Sequence, residues 1–123
     1  TLGAKMKNTR LIICKTDRAW TRDFLPIFIK DKKKRNLLSK WEFNGWAKYR
    51  NFKNDNKAYS KVKEFKKIRL IKPKYNKRKI TLEGGSIDVN GKGYLITTMQ
   101  CLLSKVQQRN KGLNKDDYEQ IFN

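Results

Sequence analysis

Asn90-Gly91 falls between two short runs, Ser86 to Val89 and Tyr94 to Thr98, in which apolar and polar residues alternate. Alternation with a period of two marks a half-buried strand. Asn-Gly readily takes the backbone geometry of a tight hairpin turn. The segment Asn90-Gly91-Lys92-Gly93 therefore predicts a β-hairpin.

The rest of the chain reads around it. Leu11-Ile12-Ile13-Cys14 is a short apolar run and predicts a buried strand. Thr16 to Asp23 is a polar, Trp-containing turn. Phe24 to Ile29 resumes as a strand, with Pro26 at its edge or start. Asp31 to Asn36 is a solvated charged loop, and Leu37 to Phe43 forms another strand. Asn54 or Asp55 can cap a helix running to about Ile68, because Ala58, Val62, Phe65 and Ile68 or Arg69 recur at three- and four-residue steps. Lys72-Pro73-Lys74 ends it. Lys79 to Glu83 precedes the hairpin, and Met99 to Leu103 makes one helical turn. Asn114 with Asp117 three residues on is a relative of the capping box and opens a last helix, Lys115 to Phe122. The order strands, helix, strands, helix is a mixed α/β layout. Leu11 to Cys14, Ile80 to Leu82 and Leu95 to Thr97 are expected to pair in one sheet, with the long helix packed on it.

A chain of 123 residues forms one small domain with one core. No apolar run approaches a membrane span. Thr1 to Asn8 lacks the apolar stretch of a secretory signal and has no initiator Met, which suggests a start inside something longer or a trimmed end. Cys14 and Cys101 have no disulfide or metal spacing and read as buried, inert thiols in a reducing, cytoplasmic setting. Lys+Arg is 31 against 11 Asp+Glu, a net charge of +20, which suits a polyanion partner such as nucleic acid. The excess of Lys over Arg, with abundant Asn and Ile, equally suits coding bias in an AT-rich genome. There is no histidine, which removes the usual general base, the usual metal ligand and any Cys-His or Ser-His pair. No metal or cofactor motif is present.

Three segments can carry chemistry. Asp17-Arg18-Ala19-Trp20-Thr21-Arg22-Asp23 gathers two acids, two arginines and an indole. A carboxylate and a flat aromatic surface are what a guanidinium ligand needs, although a salt-bridged loop beside a core Trp has the same composition. Trp41-Glu42-Phe43-Asn44-Gly45-Trp46-Ala47-Lys48-Tyr49 places three large aromatics around Asn-Gly, either as a stacking surface on a tight turn or as a small hydrophobic core. Interleaved with basic residues, it could also stack nucleobases. Leu82-Glu83-Gly84-Gly85-Ser86-Ile87-Asp88 ends a strand on a carboxylate and follows it with two glycines, which allow a close approach to a ligand or simply a turn.

These segments, in this order, resemble the agmatine deiminase family and the Porphyromonas-type peptidylarginine deiminases grouped with it. The likeness rests on Thr16 to Phe24 with Pro26, on Phe43 to Tyr49, on Leu82 to Ile87, and on Leu95-Ile96-Thr97-Thr98 with Cys101-Leu102-Leu103. It implies a five-module α/β propeller of ββαβ units, with residues 1–123 holding roughly one module and parts of its neighbours. It implies a cysteine nucleophile that forms an amidino-cysteine intermediate. Asp23 would clamp the guanidinium, Trp20 would line the channel beside it, and Glu83 would orient the catalytic histidine. Asn44, Trp46, Gly84 and Gly85 would line the site, and Arg22 would support Asp23. The family's His-x-Asp segment, its C-terminal Gly-rich stretch with the nucleophilic cysteine and its first module have no counterpart in the sequence. Cys101 matches a non-catalytic position.

The expected function is thus a partial agmatine deiminase, converting agmatine to N-carbamoylputrescine and ammonia on the route to putrescine. Protein or peptidyl-arginine deimination is the alternative within the superfamily, and a basic nucleic-acid-binding module the alternative of another class. Expected partners are a small guanidine substrate, with no cofactor, no membrane and no specific nucleic acid. A homo-oligomer is one option for the intact protein. The chain by itself is expected to have no turnover.

Overall fold

A computed structural model describes residues 9–123, and in it the chain is organised around short strands and close side-chain contacts. Strands β1 (Ile27–Lys30) and β2 (Asn36–Ser39) pair antiparallel across the charged 31–35 turn, with Ile27 opposite Ser39. Asp31 closes that turn by accepting from the backbone N–H of Lys33 and Arg35. Pro26 stands just before β1, where its missing N–H breaks no ladder. Strand β3 (Leu70–Ile71) adds to β2 in parallel, giving the order β1-β2-β3.

The predicted strand Leu37 to Phe43 is continuous in direction but changes partner. Lys40 N–H donates to Ile71, and Glu42 then exchanges bonds with the segment around Thr81. Strands β4 (Lys74–Tyr75) and β5 (Arg78–Lys79) form a small hairpin. Strands β6 (Ile87–Val89) and β7 (Leu95–Thr97) form the hairpin expected from Asn90-Gly91. Its loop is closed by the Asn90 side chain, which accepts from the N–H of Lys92 and Tyr94.

Four helices punctuate these strands: α1 (Thr21–Phe24), α2 (Lys53–Ala58), α3 (Met99–Leu103) and α4 (Lys115–Phe122). Helix α4 begins where the sequence places it. Asn114 and Asp117 bond each other's backbone N–H in a complete capping box. Tyr118, Ile121 and Phe122 then fall on one face and pack with Leu82 and Leu102. A second cluster joins Phe24, Phe43 and Ala58, with Cys14, Trp46 and Phe52 against it. Each fully buried Phe or Leu in these clusters contributes about 1.5–3 kcal/mol of apolar burial.

Four expectations are corrected. Leu11 to Cys14 forms no strand: Leu11 is 77 % and Ile13 98 % exposed, and only Cys14 reaches the core. Four apolar residues do not make a strand without a ladder partner for their backbone. Consequently there is no common sheet of Leu11–Cys14, Ile80–Leu82 and Leu95–Thr97; the described strands form three small sheets instead. The long helix is also broken. Helix α2 ends at Ala58, and short 3-10 turns follow at Tyr59–Lys61 and Lys63–Lys67, separated by Val62 in extended geometry. Like charges at Lys57/Lys61 and Lys63/Lys67 disfavour a continuous α-helix there. The break also turns Phe65 edge-on to Phe28, with ring centres 5.9 Å apart. Nor does Asn54 or Asp55 cap the helix. Both lie inside its first turn, and the Asn54 N–H is met at 2.9 Å by the carboxylate of distant Asp17.

Candidate functional site

Helix α1 is one turn long, anchored by buried Phe24, and it presents Asp23. The Asp23 carboxylate accepts from the Trp46 indole Nε1–H and from the Gly85 backbone N–H, each at 3.0 Å. Both donors come from segments singled out in the sequence. Trp46 reaches Asp23 from a strained turn: Trp46 and Ala47 have φ of 59° and 55°, a left-handed geometry that disfavours Cβ-bearing residues by roughly 1–2 kcal/mol each. Asn44 holds that turn by accepting from the Ala47 N–H at 2.9 Å. Edge-on packing of Trp46 on Phe43, at 5.2 Å between centres, holds the ring.

Glu83 follows the buried Ile80–Leu82 stretch and is itself 2 % exposed. The two glycines after it are required by proximity. A Cβ on Gly84 would penetrate the backbone oxygen of Arg22, and one on Gly85 would penetrate Oδ1 of Asp23. Hydrogen at both positions lets the Glu-Gly-Gly segment close on α1 without displacing its backbone or the Asp23 side chain. Asp23 and Glu83 thus converge on one small cavity of about 170 Å³, walled by Trp46, Gly85 and Ser86, with Cys101 and Arg109 across from them. Burial pushes the Glu83 carboxyl above the usual carboxylate range. The guanidinium of Arg109 opposes that rise and the nearby Asp23 adds to it.

Other expected site residues fall elsewhere. Asp23 sits in the helical turn α1, within the segment read from the sequence as a turn. Trp20 stands at the surface, 69 % exposed, outside the small cavity, whose indole wall is Trp46. Asn44 supports the wall from behind, donating to the carbonyl of Arg109 at 3.1 Å. Arg22 makes no ion pair with Asp23 and instead lines a larger cavity of about 490 Å³. That cavity is walled by Phe28, Ile71, Val89, Leu95 and Phe122 and has no carboxylate side chain. Cys14 and Cys101 are both partly exposed rather than buried, and Cys101 faces the small cavity.

The chemistry read from Asp17-Arg18 is present, but its guanidinium is the chain's own. Arg18 lies over Trp46 and Tyr49, 5.3 and 4.8 Å from the ring centres, and pairs with buried Asp55 at 3.3 Å. It also binds the side chain of Asn51 at 2.9 Å. The carboxylate of Asp55 takes the backbone N–H of Asp17 and Arg18 as well. This motif is an internal cross-brace that fixes the turn bearing Trp46.

Sequence reasoning missed Arg109 and Asn110. They lie in a polar run, Gln107 to Asn110, that reads like any surface loop, and no local signal marks their partners. Among the described residues, no helix is long and apolar enough to cross a membrane, and no cluster of three or more His, Cys, Asp or Glu could hold a metal ion.

Residues 2–123 match the family model described as Porphyromonas-type peptidyl-arginine deiminase. Over 122 residues the chain is 34% identical to the agmatine deiminase of Pseudomonas syringae pv. tomato, covering 95% of this chain and 32% of that one. It is 35% identical over 120 residues to the agmatine deiminase of Pseudomonas savastanoi pv. phaseolicola, covering 94% and 31%. Among solved structures, a Cys-to-Ser variant of C. jejuni agmatine deiminase with substrate bound superposes with a TM-score of 0.77 at 33% identity, covering 94% of this chain and 33% of that one. The chain spans about a third of the length of the curated relatives it matches.

Proposed function

The chain belongs to the Porphyromonas-type peptidyl-arginine deiminase family, and from that premise we propose that Asp23 and Glu83 form part of a site that hydrolyses a guanidine group. The observation that carries this reading is their convergence, from separate segments, on one cavity with an indole wall. Two anions beside a flat aromatic suit a planar cation. The relatives named above are agmatine deiminases, so agmatine is the first substrate of this reading, with N-carbamoylputrescine and ammonia as products.

In this proposal Asp23 clamps the guanidinium. Its two oxygens are already oriented by Trp46 and Gly85, and each keeps a free lone pair for a ligand N–H. Glu83 orients a catalytic histidine, a residue type absent from the chain. Exposed Trp20, three residues before Asp23, becomes a channel wall in a larger propeller to which residues 1–123 contribute one module and parts of its neighbours. A thiolate, also from outside the chain, attacks the guanidinium carbon. The C–N bond breaks and ammonia leaves with a proton, giving an amidino-cysteine. Water then adds to that carbon, the C–S bond breaks and the ureido product departs. A reducing, cytoplasmic setting suits such a thiolate, and no cofactor is required.

The same clamp would accept the guanidinium of a peptidyl arginine, which the family description favours. The two readings share one experiment. Agmatine and a blocked arginine peptide are titrated into the ¹⁵N-labelled chain while the Gly85 N–H and Trp46 indole N–H signals are followed. Agmatine is expected to shift both, and Asp23→Asn to abolish the response. A larger response to the peptide would favour peptidyl-arginine. No response to either ligand at millimolar concentration would overturn the site. Ammonia release by the chain alone is expected to stay at background.

A further inference from the structure

Glu83 meets one cation. The Nε–H of Arg109 donates to both carboxylate oxygens, at 3.0 Å to Oε1 and 3.3 Å to Oε2. The pair is nearly closed to solvent, with the two side chains 10 % and 3 % exposed. Arg109 arrives from the connection between α3 and α4, and that connection is tied down on every side. Its own Nη1 donates to the Gln107 carbonyl at 2.8 Å, and its carbonyl accepts from Asn44 at 3.1 Å. The next residue, Asn110, bonds the N–H and carbonyl of Thr81, two residues before Glu83. One dipeptide therefore grips both the stretch that delivers Glu83 and the carboxylate it delivers.

We propose that Arg109 is a positioning residue for Glu83, holding its carboxylate in a fixed orientation beside Asp23 and favouring its charged form. The inference rests on the reading of this cavity as a guanidine site and adds a residue and a charge state to it. Burial and the like charge of Asp23 both disfavour the charged form of Glu83. Arg109 supplies the counter-charge that favours the charged form of Glu83 beside Asp23.

The groups facing Glu83 come from every neighbouring element. They are Asp23 of α1, Arg109 before α4 and Tyr118 of α4, with Cys101 of α3 on the cavity wall. Burial and Asp23 both push the Glu83 carboxyl up, and Arg109 is the cation that pulls it back. The planar guanidinium also fixes direction, which a flexible ammonium does poorly.

The test uses the full chain labelled with ¹³C at the glutamate side-chain carboxyls, with the Glu83 signal assigned by its loss in Glu83→Gln. Removing the cation in Arg109→Gln is expected to raise the Glu83 titration midpoint by about one pH unit or more. Arg109→Lys, which keeps the charge and loses the fork, is expected to give a smaller rise. Glu119, exposed on α4, serves as the unmoved control. Unchanged Glu83 midpoints in both variants would overturn the proposal. If Arg109→Gln does not fold, the comparison of wild type with Arg109→Lys decides alone, and identical midpoints overturn it. These titrations are run without ligand, so they stand or fall on Arg109. Agmatine is added afterwards: failure to perturb Glu83 in the wild type would count against the guanidine reading and leave the Arg109 result intact.

Discussion

The side-chain amide of Asn110 serves Thr81 as a neighbouring strand would, accepting from its N–H at 2.9 Å and donating to its carbonyl at 2.8 Å. Asn110 is fully buried, and its amide also donates to the Tyr118 hydroxyl. Asn110→Ala would leave a buried backbone donor and acceptor of Thr81 without partners, at about 1–3 kcal/mol for each group. A loss of roughly 3 kcal/mol in urea unfolding is expected. Thr81→Ala keeps both backbone bonds and should lose no more than about 1 kcal/mol. Equal losses in the two variants would mean that the mimicry contributes nothing.

Gly84 and Gly85 should respond differently to alanine. At Gly84 the new Cβ meets a backbone oxygen of α1, which cannot move without displacing the helix. Overpacking of that kind costs about 1–3 kcal/mol, and thermal unfolding should show it. At Gly85 it meets the end of the Asp23 side chain, which can rotate away. Gly85→Ala should therefore be the milder in stability and should broaden or shift the Trp46 indole N–H resonance, because Asp23 is its acceptor. A Gly85→Ala spectrum with that resonance unmoved would show that Asp23 stays in place.

Lys40 should give the fold a rising stability at alkaline pH. Its amine is buried, donating to the Trp41 carbonyl and to Asn56 Oδ1. Burial lowers its pKa from the ordinary 10.5 to about 8, against the pull of Glu42 and with help from Lys72 and Lys79. Between those values the unfolded chain keeps the proton that the folded chain has released, so stability increases with pH across the window. The penalty is fully present below about pH 8. At 1.36 kcal/mol per unit, its upper size is about 3 kcal/mol. Urea unfolding from pH 7 to 10 should show the increase in wild type and lose it in Lys40→Met. A parallel increase in both proteins would assign it to other groups.

The +20 net charge predicts weak, sequence-indifferent attraction to nucleic acid. Such binding arises from counterion release and should fall steeply with salt. Fluorescence anisotropy with unrelated DNA and RNA oligomers, at low and physiological salt, reads it directly. Tight, sequence-selective binding at physiological salt would make the basic composition functional and would favour the nucleic-acid reading over the deiminase one.

What the sequence disclosed was local. The capping box of Asn114 and Asp117, the Asn90-Gly91 hairpin, the helical turn at Met99–Leu103 and the place of Pro26 all depend on residues within a few positions of one another. What it concealed was long-range. Asp17 stands in for the N-cap of α2 across the fold, which no helix-start pattern could reveal. Leu11 to Cys14 has strand composition but no backbone partner among the described strands. In the site, Asp23, Glu83 and the double glycine were legible as chemistry. Trp46 was legible as an aromatic on a turn, but its bond to Asp23 depends on a left-handed backbone that the sequence does not announce. Arg109 was invisible because its meaning lies in a carboxylate far away in the sequence.

The position of Trp46 makes the cavity optically addressable. Its indole N–H ends on Asp23 while its ring lies under the guanidinium of Arg18, so one chromophore touches both the candidate site and the brace behind it. The other two tryptophans are set apart, Trp20 at the surface and Trp41 edge-on to Phe122. Near-ultraviolet dichroism and emission from Trp46, isolated by replacing Trp20 and Trp41 with phenylalanine, would report occupancy of the Asp23 carboxylate without any added dye.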